Sequence, residues 1–119
     1  MKKSVTEEIT EACANVKARG LHLCRGGPWL TRDEKTLIGV DPIAAVLFVH
    51  GSLTDVQTGR LTEVCKILHV NDFWLYRFWL GWDRGFLMHF TVLDKNKKEV
   101  TLVDEISQFG IALSRSYPN

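Results

Sequence analysis

Four histidines and three cysteines are the residues of this chain best suited to bind a metal or to act as nucleophiles. His22 and Cys24 stand two positions apart in an extended segment, so their side chains would share one face and offer two metal ligands. A structural zinc site needs further ligands, which His89 or Cys65 would have to bring from distant segments. No pair is spaced as HxxxH, HExxH or CxxC. We therefore predict no metal site and no cofactor.

Cys24 is also the cysteine closest to a flexible segment, because it precedes Gly26-Gly27-Pro28. A nucleophilic cysteine needs a neighbouring histidine, and the amides of the glycine pair could hold an anion. Two glycines before a proline are more typical of a turn. The chain contains no GxSxG, P-loop or GxGxxG motif. We assign no catalytic residue, and an enzymatic role stays an open alternative.

The four tryptophans suggest a ligand pocket, because tryptophan-lined pockets bind planar and apolar ligands well. Trp82, Asp83 and Arg84 end an aromatic-rich segment at a glycine, where the chain changes direction and a pocket rim could form. A small-molecule-binding protein or enzyme, with a pocket near Cys24, Trp29 and Trp82, is therefore our second interpretation of the function.

Residues 72–84 (DFWLYRFWLGWDR) hold half of the aromatic residues of the chain. On a helical wheel they form two apolar stripes, whereas a single core-facing helix needs only one. The broad stripe, which we expect to belong to the core, consists of Trp74, Leu75, Phe78, Trp79 and Trp82. The narrower stripe consists of Phe73, Tyr76 and Leu80, with Arg77 beside it. Aromatic residues and arginine are enriched at protein interfaces, so this second stripe is either covered within the chain or docks a partner.

Residues 61–78 (LTEVCKILHVNDFWLYRF) have the apolar spacing of two short helices joined by a tight turn. The positions that carry this spacing are Val64, Cys65, Leu68, Val70, Leu75 and Phe78. The segment resembles a helix-turn-helix, which implies a DNA-binding module. His69 stands where such units have glycine. The face that would enter the major groove carries Asp72 and bulky apolar groups, whereas reading base edges requires polar side chains. DNA binding is therefore our third interpretation, and we expect no nucleic-acid partner.

Length, composition and charge indicate one globular domain over residues 1–119. The formal net charge is +1 and no basic block is present, so the sequence favours neither nucleic acid nor an anionic membrane. An odd number of cysteines is typical of a reducing compartment. The N-terminus does not read as a signal peptide, and the longest apolar run, residues 43–49, is too short to cross a bilayer. We expect a cytoplasmic protein without a membrane partner.

Capping residues and apolar periodicity predict the elements that position these side chains. The expected helices cover residues 5–19, 42–50, about 61–68, 72–84 and a last segment that begins after Asp104 and turns Ile106, Phe109 and Leu113 inward. A hairpin is expected with arms near Trp29 and Ile38, and a strand–turn–strand unit with strands 86–93 and 99–103. The predicted fold class is α+β: a small helix-rich single domain of four to five helices with one or two short β-hairpins.

The aromatic helix carries the leading prediction of function. We expect a non-enzymatic interaction domain that binds itself or another protein through Phe73, Tyr76, Arg77 and Leu80.

Overall fold

The computed structural model describes residues 3–25, 31–33, 36–51 and 61–118. These residues form five helices and five strands, so the predicted α+β class is confirmed. The chain clusters into two compact units that divide between Asp72 and Phe73. Each unit is described below by itself, and the expectation of one domain over residues 1–119 stays a prediction.

The first helix, α1 (Val5–Ala18), begins where the sequence predicts it. The hydroxyl of Ser4 accepts a hydrogen bond from the amide of Glu7 at 3.2 Å, which satisfies one of the free N–H groups of the first turn. The helix ends before Gly20, whose φ of +88° favours a residue without a side chain. Its buried face consists of Ile9, Ala12, Cys13 and Val16.

A small three-stranded sheet follows α1. Its strands are β1 (His22–Leu23), β2 (Thr31–Asp33) and β3 (Thr36–Val40), in the order β1-β3-β2. The antiparallel pair β2–β3 is the predicted hairpin; Ile38 lies in β3, whereas Trp29 lies outside the described residues. The parallel pairing of β1 with β3 was not predicted. Two residues are too short a strand to show the alternation by which strands are recognised.

Helix α2 (Pro42–Val49) is the apolar helix expected at 42–50. The carboxylate of Asp41 accepts a hydrogen bond from the amide of Ala44 at 2.8 Å, and proline occupies the first helical position as predicted. Residues 42–47 are buried on all sides, and α2 packs against α1. The helix ends at His50, its C-cap, followed by Gly51.

Helix α3 (Leu61–Leu68) buries Val64, Cys65 and Leu68, as its apolar spacing predicts. Leu61, which the same spacing places on that face, is exposed. The turn that follows it depends on His69, whose φ of +58° lies in the left-handed region. The amide of Val70 then donates to the carbonyl of Cys65 at 3.0 Å and closes the helix end. A histidine therefore adopts the backbone conformation for which helix-turn-helix units use glycine.

The second unit begins at Phe73, the second residue of α4 (Asp72–Arg84). It also contains β4 (His89–Leu93), β5 (Glu99–Val103) and α5 (Glu105–Arg115). Strands β4 and β5 pair antiparallel as a two-stranded sheet. β4 begins three residues later than predicted. The amide of Phe86 is engaged at the end of α4, where it donates to the carbonyl of Leu80 at 3.1 Å after Gly85 has turned the chain.

Two glycines set the packing of α4 against α5. A Cβ atom on Gly81 would overlap the backbone carbonyl of Ser107, and one on Gly110 would lie 2.8 Å from the amide nitrogen of Trp82. The two helix backbones are therefore in direct contact. This contact corrects the expected inward face of α5: Ser107, Gly110 and Leu113 are buried, whereas Ile106 and Phe109 are half-buried.

Within the described ranges, no helix combines the length and the apolar character needed to cross a membrane.

Candidate functional site

Arg77 lies at the centre of an aromatic cluster on α4 and the hairpin. Its guanidinium carbon is 4.6 Å from the ring centroid of Phe73 and 5.7 Å from that of Phe90 on β4. The two rings contact each other edge to face at 6.5 Å between centroids. A cation over the face of an aromatic ring is attracted by the negative electrostatic potential of that face. Arg77 therefore fixes the position of Phe73 relative to the hairpin.

The same guanidinium is held from the other side by a carboxylate. Nη1 of Arg77 donates to Oδ1 of Asp104 at 3.3 Å, and both side chains are largely buried. Asp104 is the N-cap of α5, and its carboxylate also accepts from the amides of Ile106 and Ser107. One carboxylate thus compensates a buried cation and caps a helix.

Ser107 ties the hairpin to this cap. Its hydroxyl accepts a hydrogen bond from the amide of Met88 at 3.0 Å and donates to the carbonyl of Asp104 at 3.2 Å. The amide of Asp104 in turn donates to the carbonyl of Met88 at 2.9 Å. The base of the hairpin is therefore fixed to the first turn of α5, which in turn positions Phe90 beside Arg77.

The hairpin presents one face made only of apolar side chains. Directly paired residues share a face, and the pairs Phe90–Leu102 and Val92–Val100 lie on one side of the sheet. Val92 and Leu102 are 41% and 49% exposed. Because Phe90 contacts Phe73, this face continues onto the beginning of α4. We call Phe73, Tyr76 and the face of Phe90, Val92, Val100 and Leu102 the docking surface.

The four residues predicted as a partner interface differ in their exposure to water. Phe73 and Tyr76 are 48% and 51% exposed, whereas the side chain of Arg77 is 18% exposed and contacts groups of its own chain. The expectation for Leu80 is corrected, because it is only 8% exposed. Gly81 and Trp82, the next residues, are buried as well. The second stripe is therefore exposed only along the first half of α4, at Phe73 and Tyr76.

The broad stripe of α4 is core only in part. Leu75, Phe78 and Trp82 are buried as predicted, whereas Trp74 and Trp79 are half-buried. Trp79 stacks with Tyr76 at 6.3 Å between ring centroids, and the guanidinium of Arg84 lies 5.2 Å from its ring. One face of the Tyr76 ring is therefore packed against Trp79, while about half of the side chain stays exposed.

The predicted ligand pocket stays a prediction. Trp29 lies outside the described residues. Cys24 is half-buried in the first unit, where its amide donates to the carbonyl of Val40 at 2.9 Å. Trp82 is buried in the second unit, with its ring 6.5 Å from that of Tyr117. In the part of the chain that is described, no three His, Cys, Asp or Glu side chains come together to hold a metal.

Sequence reasoning did not anticipate a cleft in the first unit, of about 290 Å³, between α1 and α2. Its wall combines the charged or polar side chains of Lys3, Glu8, Glu11, Asn15 and His50 with the apolar ones of Ala12, Val46 and Val49. Lys3 and Glu11 form an ion pair at its rim. The volume is at the small end of what ligand sites need. Its lining includes no cysteine or serine that could act as a nucleophile.

The only arginine on the face that would read DNA is largely buried. Arg77 is committed to Asp104, and Leu80 is buried. Phe73 and Tyr76 remain exposed there, and neither is a side chain that reads base edges. The docking surface has instead the composition of a protein interface.

Sequence reasoning also missed the part of the docking surface that lies on the hairpin. A partial signal was present, because residues 90, 92, 100 and 102 alternate with His89, Thr91, Glu99 and Thr101 at the period of a strand, although Leu93 and Val103 break the pattern at the strand ends. Comparison of the chain with models of protein families, with curated proteins and with solved structures found no match.

Proposed function

We propose that this protein is a non-enzymatic interaction domain whose docking surface binds a second copy of the chain. The observation that carries the proposal is the continuous exposure of Phe73 and Tyr76 on α4 with Val92 and Leu102 on the hairpin. The largest contiguous apolar patch on a protein surface is often its binding site. Burying these side chains against another protein surface removes their unfavourable hydration.

The size of the surface suits a small dimer interface. Phe73 and Tyr76, each about half exposed, leave together on the order of 200 Å² of aromatic surface in water. Val92 and Leu102 bring the apolar total to roughly 350 Å². A standard interface buries about 800 Å² on each partner, of which slightly more than half is apolar. The docking surface therefore supplies most of the apolar part, and a polar rim would supply the rest.

The rigidity of the surface also supports binding. Arg77 holds Phe73, Trp79 stacks on Tyr76, and the bonds of Ser107 fix the base of the hairpin. Binding costs less conformational entropy when the side chains of the interface are already ordered. Aromatic residues held in this way are typical of the few positions that dominate binding energy.

We further propose that the protein works in the cytoplasm. All three cysteines are free thiols, and Cys13 and Cys65 are buried as small apolar residues. Such buried thiols serve packing and do not need an oxidising compartment.

Light scattering coupled to size exclusion tests the proposed self-association. We expect the wild type to have twice the 13.6 kDa mass of one chain. Tyr76→Glu should return it to one chain, because a carboxylate would be buried at the interface. Leu61→Glu is the matched control, since Leu61 is 38% exposed on α3, outside the docking surface. A monomeric wild type at the highest soluble concentration, or a dimeric Tyr76→Glu, would contradict the proposal.

A further inference from the structure

We infer that two copies of the chain join edge to edge through β5, with a twofold axis at Thr101. The inference rests on the proposed self-association and specifies its geometry. The two-stranded sheet β4–β5 pairs with no other strand in the described part of the chain. An unpaired strand edge offers a row of N–H and C=O groups to another strand. A sheet of two strands is also only marginally stable until it gains further strands or a cover.

The hydrogen bonds of the hairpin show which groups its edge offers. Asp104 donates to Met88 at 2.9 Å, and Asp94 donates to Lys98 at 2.9 Å, so both ends bond through even-numbered residues. In an antiparallel pair, inward-pointing and outward-pointing residues alternate along each strand. The backbone groups of β5 that point outward are therefore those of Glu99, Thr101 and Val103, all three of which are exposed.

These outward groups select one register for a symmetric pair. An axis at Thr101 is the choice that pairs all five residues of β5 with the same strand of the second copy. Thr101 then lies opposite Thr101, Val100 opposite Leu102, and Glu99 opposite Val103. Cross-strand threonine pairs and apolar pairs are both favourable. An axis at Glu99 would instead place two carboxylates opposite each other.

Charge complementarity favours the same arrangement. Just beyond the paired strands, the register brings the turn residue Lys97 near Glu105, the first residue of α5, in the second copy. Lys97 and Glu105 are both exposed, and symmetry produces the pair twice. The corresponding axis on β4, at Thr91, would place Lys95 opposite Leu87 and would form no such pair. We therefore choose the edge of β5 over that of β4.

The edge pairing also explains how the docking surface is covered. Directly opposed residues of antiparallel strands share a face, so the apolar faces of the two hairpins become one face of a four-stranded sheet. Phe90 contacts Phe73, which places α4 of each copy on that same side. The two outer strands would be about 14 Å apart, and packed helices lie about 10 Å apart. Two α4 helices therefore fit over Val100 and Leu102 of both copies.

Two proline variants test the edge that is used. Thr101→Pro removes an outward N–H that the hairpin itself does not use, and should raise the dimer dissociation constant by about tenfold or more. Thr91→Pro is the matched control, because Thr91 is paired with Thr101 and its N–H points outward from the other edge. We expect the control to stay dimeric. An unchanged dissociation constant for Thr101→Pro, or a loss of dimer in Thr91→Pro alone, would overturn the inference.

A cross-link tests the axis without disturbing the strand. In the proposed dimer the two Thr101 Cα atoms lie about 5.5 Å apart, within the range that a disulfide spans. Thr101→Cys in a Cys24→Ser background should form an intermolecular disulfide under mild oxidation, whereas Thr91→Cys should not. Absence of this cross-link in a dimeric protein would overturn the edge pairing and leave self-association standing. A monomeric wild type would overturn both.

Charge reversal gives a third measurement, which leaves the residues of β5 unchanged. Lys97→Glu or Glu105→Lys alone should weaken the dimer on the order of tenfold, because each change creates two like-charged pairs. The double variant should restore the affinity, since it forms the pairs with their signs exchanged. An unrestored double variant would contradict the register.

Discussion

Arg77 and Asp104 join the aromatic end of α4 to the first turn of α5 through one hydrogen-bonded ion pair, 3.3 Å from Nη1 to Oδ1. Both side chains are largely withdrawn from water, so removal of either one leaves the other without compensation. The pair is therefore a structural support of the docking surface, whereas the aromatic rings that it holds make the surface itself.

A double-mutant cycle measures this support. We expect Arg77→Met and Asp104→Asn each to lower the free energy of unfolding by about 1–3 kcal/mol, and the double variant to lose less than the sum. Urea denaturation gives the four values. The exposed pair Lys3–Glu11, changed to Met and Gln, is the control and should show weaker coupling. Additive losses at Arg77 and Asp104 would show that the pair has no coupling energy.

The contact between α4 and α5 predicts an unusual cost for alanine. Gly81→Ala and Gly110→Ala should each destabilise the protein by about 2 kcal/mol or more, although alanine favours a helix over glycine by about 1 kcal/mol. The added methyl group meets backbone atoms, which cannot move aside as a side chain would. Gln108→Ala, an exposed position of α5, is the control and should be near neutral. Thermal unfolding compares the three variants, and a stabilising Gly110→Ala would refute the close packing.

The turn after α3 predicts a stabilising substitution. The left-handed backbone of His69 is unfavourable for a residue with a side chain, whereas glycine adopts it freely. His69→Gly should therefore raise the free energy of unfolding by up to about 1 kcal/mol. The same replacement in the helix interior, Lys66→Gly, should lower it by about 1 kcal/mol. Chemical denaturation of the two variants should therefore give shifts of opposite sign. A loss of stability in both would mean that the histidine side chain contributes more than its backbone strain costs.

Alkaline pH should weaken the fold through Cys13. Burial, and secondarily the charge of Asp41, raises the pKa of this thiol from 9.0 to about 12. Above pH 9 the unfolded chain releases the proton while the folded chain keeps it, so stability falls as pH rises from 9 towards 12. Between pH 8 and pH 10 the loss from this group is about 1 kcal/mol. Urea midpoints at the two pH values should differ less for Cys13→Ala than for the wild type. Equal differences would place the thiol in contact with water.

Local signals sufficed for most elements of this fold. The capping residues Ser4, Asp41 and Asp104 and the spacing within residues 72–84 each act within one or two turns, and the structure has these helices where those signals predict them. The α3–α4 turn shows the limit of residue preferences, because His69 adopts a conformation that favours glycine.

The extent of the second stripe could not be predicted from the helix alone. A helical wheel places Leu80 with Phe73 and Tyr76, but it does not show where along the helix other segments begin to enclose it. The enclosure of Leu80 depends on tertiary packing at the end of α4, as does the close approach at Gly81. The partners of Arg77 are likewise 27 residues away at Asp104 and in a strand at Phe90, separations that periodicity does not encode.

The hydroxyl of Ser107 has a consequence for the dynamics of the hairpin. Because the amide of Met88 donates to the hydroxyl of Ser107 and its carbonyl accepts from the amide of Asp104, the strand entry cannot separate from the helix start without breaking both bonds. Local opening of these segments is therefore cooperative. In a hydrogen-exchange experiment the amides of Met88 and Ser107 should exchange at similar, slow rates. The hairpin should fray first at its tip, around the exposed residues Asn96 and Lys97.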